Sequence, residues 1–258
     1  MVKINVEFAG MHTPLVGLMA GVLMSGPVPT GADALIKNPL YKTGKMTAAC
    51  EELPLTGGDF DTVRLYVGSV TKCLDRAWGA QVKKAGMSYR KPKVVLEHGE
   101  RVRTPCGVYY PERPFSLYCG RTIYLMVTDT ALRNEPDHPR ILESLAIGYG
   151  YHVQNEVGIL GQQARASKSL SKSEDLALVT KVSLQNIYLA GVFLGSAWDS
   201  LGHTKALGPD LIIEWQAVYG YQKGYGQAKN RVYWERRGFD AESPDACNTF
   251  KAPAARVK

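Results

Sequence analysis

The segment 147–154 contains the residues most relevant to chemistry, and it reads Ile-Gly-Tyr-Gly-Tyr-His-Val-Gln. Its frame is that of a zinc-binding helix, His-Glu-x-Gly-His-His-Val-Gln, in which two histidines four residues apart hold the metal and the glutamate activates water. In this chain the two histidine positions hold Ile147 and Tyr151, and the glutamate position holds Gly148. The segment therefore keeps the frame of a metal site without its chemical groups.

Other groups that could act chemically stand in weaker patterns. His152 and Glu156 are four residues apart, which places them on one helix face, but two ligands do not complete a metal site. Ser183 has neither the G-x-S-x-G turn nor a positioned base that would make it a nucleophile. Cys247 could be a reactive thiol, although a buried cysteine is the commoner case. We therefore expect a structural histidine, a helix-interior serine and an inert cysteine.

The composition bounds the class of protein without naming a function. A chain of 258 residues with 45% hydrophobic content can bury a sizeable single core. Its formal net charge of +7 is modest and spread along the chain, with short basic clusters at Lys83-Lys84 and Arg236-Arg237. The charge gives weak support to an acidic or cell-surface partner, and we expect no nucleic-acid partner.

The amino-terminal residues resemble a targeting segment. Residues 15–24 form an apolar run that is shorter than the roughly 20 residues needed to span a bilayer. The small residues 32–34 follow two prolines and suit a cleavage site of the A-x-A kind. The sequence therefore predicts a signal peptide or membrane-targeting segment over 1–34 and one domain over 35–258. An uncleaved membrane tether and an ordinary buried segment are the alternatives, and we expect no other stretch to approach transmembrane length.

Five cysteines suit a protein that folds in an oxidising compartment. Cys106 and Cys119 are thirteen positions apart across a loop rich in proline and tyrosine, and Cys50 and Cys73 form a second plausible pair. Cys247 is left single under that pairing, although sequence alone leaves the connectivity open. A short loop of this kind gains roughly 3 kcal/mol from cross-linking. No C-x-x-C pair occurs, which disfavours a metal site built from these cysteines.

Periodic apolar residues predict the elements that must hold these groups in place. Asp61 begins a helical pattern that Gly86 ends, and Ser173 with Glu174 gives a start signal for a later helix. The predicted helices cover 61–85, 139–161, 174–199 and 210–222, and the predicted strands cover 93–97 and 122–128. Residues 35–60 read as an extended lead-in, and the residues after 222 read as a turn-rich tail. Because strands and helices are segregated, we predict a single α+β domain with a small sheet, two long core helices and stapling disulfides.

Five short motifs, in order along the chain, resemble those of one known family. They are Asn38-Pro39-Leu40-Tyr41, Cys106-Gly107, Gly150 with His152-Val153-Gln154, Leu184-Gln185 with Ala190-Gly191, and Cys247-Asn248-Thr249-Phe250. Together they resemble the bacterial neutral zinc metallopeptidase family, and the first of them resembles its actinobacterial members. The resemblance covers nearly everything after the amino-terminal segment and implies a zincin-like fold.

The resemblance implies a role in catalysis for three positions of this helix, and this chain has a different residue at each of them. At the two histidine positions, Ile147 has no lone pair, and the phenol of Tyr151 would have to lose a proton of pKa near 10 to bind zinc well. The position of the general base is Gly148. The helix therefore lacks both metal ligands and the group that activates water.

The second helix and the tail also lack residues that the family has at its functional positions. Where the family has the pattern Glu-Leu-Gln-Ala-Asp-Cys, this chain has Ser183 at the glutamate and Ile187 at the aspartate. A histidine common in the tail falls at Tyr225, and the cysteine falls at Tyr188, a position that the resemblance implies would otherwise pair with Cys247. Because unpaired polar groups in a vacated site are costly, we expect these substitutions to form a dry, packed plug between the two helices.

These observations predict a catalytically inactive, secreted or cell-envelope pseudopeptidase. We expect it to bind or scaffold a protein, peptide or envelope component, and to need no cofactor. Its cleft is expected to present aromatic and histidine side chains, namely Tyr109, Tyr110, Tyr149, Tyr151 and His152.

Two other functions stay open at this stage. An active neutral zinc metallopeptidase would need three relocated His, Asp or Glu ligands that converge elsewhere, and only then is zinc expected. A basic adhesion module for anionic envelope polymers would show binding that collapses with added salt.

Overall fold

Helices form the frame of the domain, and a small sheet packs against them. The helices are α1 (Ala32–Ile36), α2 (Phe60–Lys84), α3 (His138–Glu156), α4 (Ile159–Ala166), α5 (Lys172–Ala197), α6 (Gly208–Val218) and α7 (Ala228–Ala241). The strands are β1 (Lys93–His98), β2 (Val102–Thr104), β3 (Gly107–Tyr109), β4 (Phe115–Cys119) and β5 (Thr122–Val127). This computed structural model describes residues 26–56, 59–129, 132, 138–218 and 223–258, so the apolar run 15–24 lies outside the described residues.

Helix α5 is the central helix of the domain, with α3 packed on one side and α7 on another. It begins in a capping box, in which the Glu174 N–H donates to the Ser171 hydroxyl and the Ser171 N–H donates to the Glu174 carboxylate. The predicted start signal at Ser173 is therefore wrong by two residues. Its buried residues occupy every face, because neighbouring elements surround it.

The apolar character of α5 makes it long and hydrophobic enough to cross a membrane by length and composition alone. The expectation that no stretch beyond the amino-terminal segment approaches transmembrane length is therefore wrong. However, 72% of the most apolar part of α5 is buried inside the protein, as in the core helix of a globular domain.

The predicted helix over 139–161 is two helices, α3 and α4. Gly158 separates them with a left-handed backbone at a φ of 83°. A side chain at this position would also meet the Val28 Cγ1 atom at 2.6 Å and the Pro29 carbonyl oxygen at 2.8 Å. Glycine is therefore required by backbone conformation and by space, and the apolar periodicity across the break concealed it.

The sheet is centred on β5, which pairs parallel with β1 and antiparallel with β4. Strands β2 and β3 form a separate antiparallel hairpin. The predicted strands over 93–97 and 122–128 correspond to β1 and β5. The three strands between them were missed, because segments of three to five residues are too short to show alternation.

The segment that was read as a turn-rich tail contains α7, which packs closely against α5. A Cβ atom at Gly191 would collide with the Glu235 carbonyl oxygen, and one at Gly238 would collide with the Tyr188 carbonyl oxygen. The two backbones therefore approach in a way that only glycine permits. The helix was missed because charged residues such as Glu235 interrupt its buried face.

Residues 26–34, the end of the predicted targeting segment, pack onto the domain. The Gly26 N–H donates to the Gly86 carbonyl oxygen at 2.7 Å. Ala34 is fully buried in α1, and its carbonyl oxygen accepts a hydrogen bond from Asn38 Nδ2 at 2.9 Å. Cleavage at 32–34 stays a prediction, and it would divide a packed helix.

Both predicted disulfides form. Cys50–Cys73 joins the extended lead-in to α2, and Cys106–Cys119 joins the β2–β3 hairpin to β4. Cys247 is single and buried, and burial raises the pKa of its thiol well above the ordinary value. The thiol therefore stays protonated and inert at neutral pH.

Together the elements form one α+β domain stapled by two disulfides. The sheet and α2 pack against α3, which packs against α5, and α5 in turn packs against α7. The segment 147–154 lies in the carboxy-terminal half of α3, between the sheet and α5.

Candidate functional site

A cavity of about 320 Å³ opens beside the segment 147–154. Helix α3 contributes Ile147 to its wall, and α5 contributes Asn186 and Ile187. The lining residues are Tyr109, Tyr110, Pro111, Glu112, Arg113, Phe115, Ser116, Ser144, Ile147, Asn186, Ile187, Gln216, Tyr225 and Arg231. An apolar and aromatic wall with a few polar groups is the usual character of a ligand site.

A cluster of hydroxyl groups joins α3, α5 and the chain before α7 next to this cavity. The Tyr151 hydroxyl donates to Ser183 Oγ at 3.4 Å, and it also interacts with the Tyr225 hydroxyl. Burial raises the pKa of Tyr151, and the neighbouring Tyr151 raises the pKa of Tyr225 more than burial does. This hydroxyl cluster (Tyr151, Ser183 and Tyr225) is therefore neutral and occupies three positions at which the resemblance places polar or metal-binding groups.

Gly148 packs directly against the sheet. A Cβ atom at this position would lie 2.6 Å from Ile123 Cγ2 and 3.2 Å from Ser116 Cβ. Ile123 is fully buried in β5 and cannot swing away. The position that the resemblance assigns to the general base is therefore closed by packing as well as lacking a carboxylate.

Asn186 is a cavity residue that the sequence analysis did not identify. Its side chain lies against Gly150, where a Cβ atom would collide with Asn186 Oδ1. Asn186 is 1% exposed, and its Oδ1 atom has no hydrogen-bond partner among the described residues. The polar residue at the alanine position of the family pattern was the available signal.

Tyr149 and His152, which were expected in the cleft, lie on another face of α3 and do not line the cavity. The Tyr149 hydroxyl donates to Asp75 Oδ1 at 2.9 Å. His152 Nε2 donates to the Arg90 carbonyl oxygen at 2.7 Å, and Nδ1 accepts from the Tyr118 hydroxyl at 3.2 Å. Burial lowers the pKa of His152, so this ring is neutral and supports the fold.

Tyr109 and Tyr110, which were also expected in the cleft, do line the cavity, whereas Tyr151 lies in the hydroxyl cluster and is not among the lining residues. They come from the end of β3 and the residue after it, on the hairpin that Cys106–Cys119 ties to β4. Tyr110 is 69% exposed, so its ring is available to a ligand at the rim.

A buried polar cluster that the sequence analysis missed forms the far wall. Arg231 Nε donates to Gln216 Oε1 at 3.0 Å, and Gln216 Nε2 donates to Glu235 Oε2 at 2.5 Å and Glu143 Oε1 at 3.4 Å. Burial, and then the charge of Glu143, raise the pKa of Glu235 well above its ordinary value. Glu235 therefore holds its proton at neutral pH.

The expected dry, packed plug is only partly realised. The hydroxyl cluster fills the space between α3 and α5, but Ile147 and Ile187 face a cavity. Residues of the hairpin, Tyr109 and Tyr110, line the same cavity. Ile147 and Ile187 therefore do not close the cleft beside them.

The residues at these positions do not fit a zinc ion. Ile147 and Ile187 offer no donor atom, and the Tyr151 phenol keeps its proton. Throughout the part of the chain that the structure describes, no group of three or more His, Cys, Asp or Glu side chains could hold a metal ion. Any zinc chemistry would need ligands that this arrangement does not bring together.

Comparison with known proteins places these helices in a family context. The sequence profile of the family described as "Putative neutral zinc metallopeptidase" matches residues 61–212, a range that includes α3 and α5. The chain is also 26% identical over 211 residues to "Uncharacterized protein YpfJ" from Escherichia coli strain K12 and from strain CFT073. Each match covers 74% of this chain and 72% of the relative. No solved structure matches significantly.

Proposed function

The chain belongs to the neutral zinc metallopeptidase family, and we propose that it is a non-catalytic member that binds without cleaving. In this proposal the cavity beside 147–154 holds part of a protein, peptide or envelope component. The substituted positions around it contribute packing and hydrogen bonds instead of catalysis.

The joint loss of donor atoms at the ligand positions carries the proposal. A zinc hydrolase needs three protein donors and an open fourth position for water. Ile147 and Ile187 donate nothing, and the Tyr151 hydroxyl is engaged with Ser183 at 3.4 Å. These three positions therefore offer no free group that could bind a metal.

The packing at Gly148 supports the same conclusion independently. A general base at this position would need a side chain that passes Ile123, which a Cβ atom already approaches to 2.6 Å. The sheet and α3 are therefore fitted to glycine, and regaining the base would require the backbone to move.

The open cavity supports a binding role. Its volume of about 320 Å³ lies in the range of ligand sites. Tyr110 offers an exposed aromatic ring at the rim, and Ile147 and Ile187 offer an apolar wall. An aliphatic or aromatic side chain of a peptide matches these surfaces, because burying it removes apolar area from water on both partners.

The two disulfides support a location outside the reducing cytoplasm. The proposal places the protein in the cell envelope or among secreted proteins, with segment 1–34 as signal peptide or membrane tether. The family resemblance in the lead-in adds the expectation of an actinobacterial source.

A blocked-cavity variant tests the binding role. Heptapeptides are first selected from a random library for binding to the purified protein. They are then titrated against the Ile147→Trp variant, in which the tryptophan side chain occupies the cavity. We expect affinity to fall by roughly tenfold or more. Leu65→Trp is the matched control, since Leu65 is 64% exposed on α2 and does not line the cavity.

Two outcomes would contradict the proposal. One is equal peptide affinity in the Ile147→Trp and Leu65→Trp variants when both keep the thermal stability of the parent. The other is cleavage of the bound peptides that a metal chelator abolishes, because that activity would establish the alternative of an active enzyme with relocated ligands.

A further inference from the structure

The outer face of α7 forms a second concave surface, which the cavity does not use. This basic groove has a volume of about 660 Å³ and is open to solvent. Lys229, Arg236 and Arg237 are the three cations that line it, and Asp240 is the one acid. Tyr233 lies between the cations on the same helix.

The spacing of these residues aligns the charges along the helix. Positions 229, 233, 236, 237 and 240 follow the pattern i, i+4, i+7, i+8 and i+11, so they share one face. Seven residues separate Lys229 from Arg236, which corresponds to a rise of about 10 Å. The groove therefore presents positive charge at two ends of an elongated surface.

The positive charge of the groove is not neutralised by neighbouring acids. Among the residues that the structure describes, Lys229, Arg236 and Arg237 have no ion-pair partner, and all three are exposed. The hydrogen bond to Glu242, and to a smaller extent the charges of Glu242, Asp199 and Asp240, raise the pKa of the Lys205 ammonium, so Asp240 also faces a cation outside the groove. The cations are available to an anionic ligand.

An aromatic wall adjoins the charged residues. The guanidinium of Arg256 stacks on the Tyr233 ring with its carbon 3.9 Å from the ring centroid. This stacking holds a fourth cation at the edge of the groove. It also limits the conformations of Tyr233, which makes the surface more rigid than a set of free side chains.

We infer that the basic groove binds a linear polymer that carries phosphate groups. Adjacent guanidinium groups at Arg236 and Arg237 can share the peripheral oxygens of one phosphate, and Lys229 can contact another along the same chain. A concave, elongated surface suits a flexible chain that lies along the helix. This inference does not depend on the cavity being a peptide site.

A flat anionic membrane is a poorer match to this surface. Membrane-binding faces combine basic residues with exposed apolar side chains that enter the lipid. The exposed large hydrophobic residues of the described chain, such as Leu65, Tyr110, Leu207 and Ile213, are not part of the groove. The apolar residues that do line the groove, Val232, Ala241 and Ala246, are half-buried, so the groove has no exposed large hydrophobic side chain to enter lipid.

Long-chain inorganic polyphosphate labelled with a fluorophore is the probe for this inference. Fluorescence anisotropy at low salt should show saturable binding that weakens steeply as salt is added. The double variant Arg236→Ala/Arg237→Ala should bind roughly tenfold or more weakly. Lys168→Ala/Lys172→Ala is the matched control, because both lysines are exposed and the change removes the same formal charge elsewhere.

Each comparison can overturn the inference. If both double variants lose binding equally, net charge alone explains the binding, and the groove is not a specific site. Competition by orthophosphate at equal phosphate concentration would indicate a site for a single ion. Equal binding of poly-glutamate would remove the preference for phosphate. Binding to vesicles with anionic phospholipid, without binding to polyphosphate, would make the groove a membrane surface. Thermal melts establish that each variant is folded.

Discussion

Helix α3 has two sides with contrasting chemistry. On the sheet side, which faces α2, β4 and β5, polar residues keep close partners: Tyr149 bonds to Asp75, and Glu156 lies 2.7 Å from an Arg121 nitrogen. On the cavity side, Ile147 has no polar group, and Tyr151 bonds only to neutral side chains, those of Ser183, Tyr225 and Asn186.

We attribute the contrast between the two sides to the number of hydrogen-bond partners that each side chain satisfies. A buried polar residue on the sheet side cannot change alone, because its partner would be left unpaired at a cost of about 1–3 kcal/mol. Metal ligands depend on one shared ion. Under the proposed non-catalytic role no ion is held, so apolar or mutually hydrogen-bonded groups would be favourable at all of these positions together.

The two disulfides, one on each side, give the largest test of this contrast. Replacing Cys106 and Cys119 by alanine is expected to lower the free energy of unfolding by about 3 kcal/mol and to weaken peptide binding, since the tethered hairpin rims the cavity. Replacing Cys50 and Cys73 should cost a similar amount without affecting the cavity. Chemical denaturation measures the loss of stability, and peptide titration measures the loss of affinity. Equal loss of affinity in the two variants would contradict a specific role of the tethered hairpin in peptide binding.

A substitution at Gly148 tests how closely the position that the resemblance assigns to the general base is packed. Glycine to alanine normally stabilises a helix by about 1 kcal/mol. Gly148→Ala should instead destabilise the protein by about 2 kcal/mol, because the new Cβ meets Ile123 Cγ2 at 2.6 Å. Gly68→Ala is the control, since that exposed α2 position has no atom within 4 Å and should be stabilised. Stabilisation of both variants in urea denaturation would contradict the closed packing.

His152 tests the sheet side and adds a dependence on pH. His152→Phe should cost about 1.5 kcal/mol at neutral pH, since the Arg90 carbonyl oxygen and the Tyr118 hydroxyl lose their partner. Burial holds the pKa of His152 below its ordinary 6.5, so below that pH the unfolded chain binds a proton that the folded chain does not. Stability of the parent should therefore fall as the pH drops below 6.5, and the variant should lose this slope.

Unfolding curves of parent and variant at several pH values between neutral and mildly acidic measure this slope. An identical slope in both proteins would assign the pH dependence to other groups and would remove His152 from the buried network.

The smallest effect is expected in the hydroxyl cluster. Tyr151→Phe should lower the free energy of unfolding by about 1 kcal/mol, because the hydroxyl bonds only to neutral groups, which are Ser183 at 3.4 Å, Tyr225 and Asn186. A double-mutant cycle with Ser183→Ala should give a coupling energy of similar small size. A loss of several kcal/mol would mean that Tyr151 supports the fold as strongly as the sheet side does.

The long, strongly patterned elements and the disulfides were predictable from the sequence. Apolar periodicity located α2 and α5, and cysteine spacing suggested both disulfide pairs without fixing the connectivity. The break at Gly158 and the helix α7 were not found, because the first interrupts a continuous apolar pattern and the second buries charged residues. Apolar periodicity detects helices whose buried face is apolar, so a helix with Arg231 and Glu235 on its buried side gives a weak signal.

The sequence predicted which segments contribute to the site, but not the direction in which each side chain points. Ile147, Ile187 and Tyr225 do line one cavity. Tyr149 and His152 were grouped with them, although helical geometry places Tyr149 about 200° around the axis from Ile147. Applying that rotation would have assigned Tyr149 to the sheet side. The polar wall of Gln216 and Arg231 depends on contacts between distant segments, which no local pattern reveals.

Zinc content tests the central claim most directly. The purified protein is incubated with excess zinc, desalted and measured by inductively coupled plasma mass spectrometry, beside the Tyr151→Phe variant. We predict far less than one zinc per chain in both, because the positions of Ile147, Tyr151 and Ile187 supply no ligand set. One tightly held zinc per chain would contradict the account and would establish a relocated metal site.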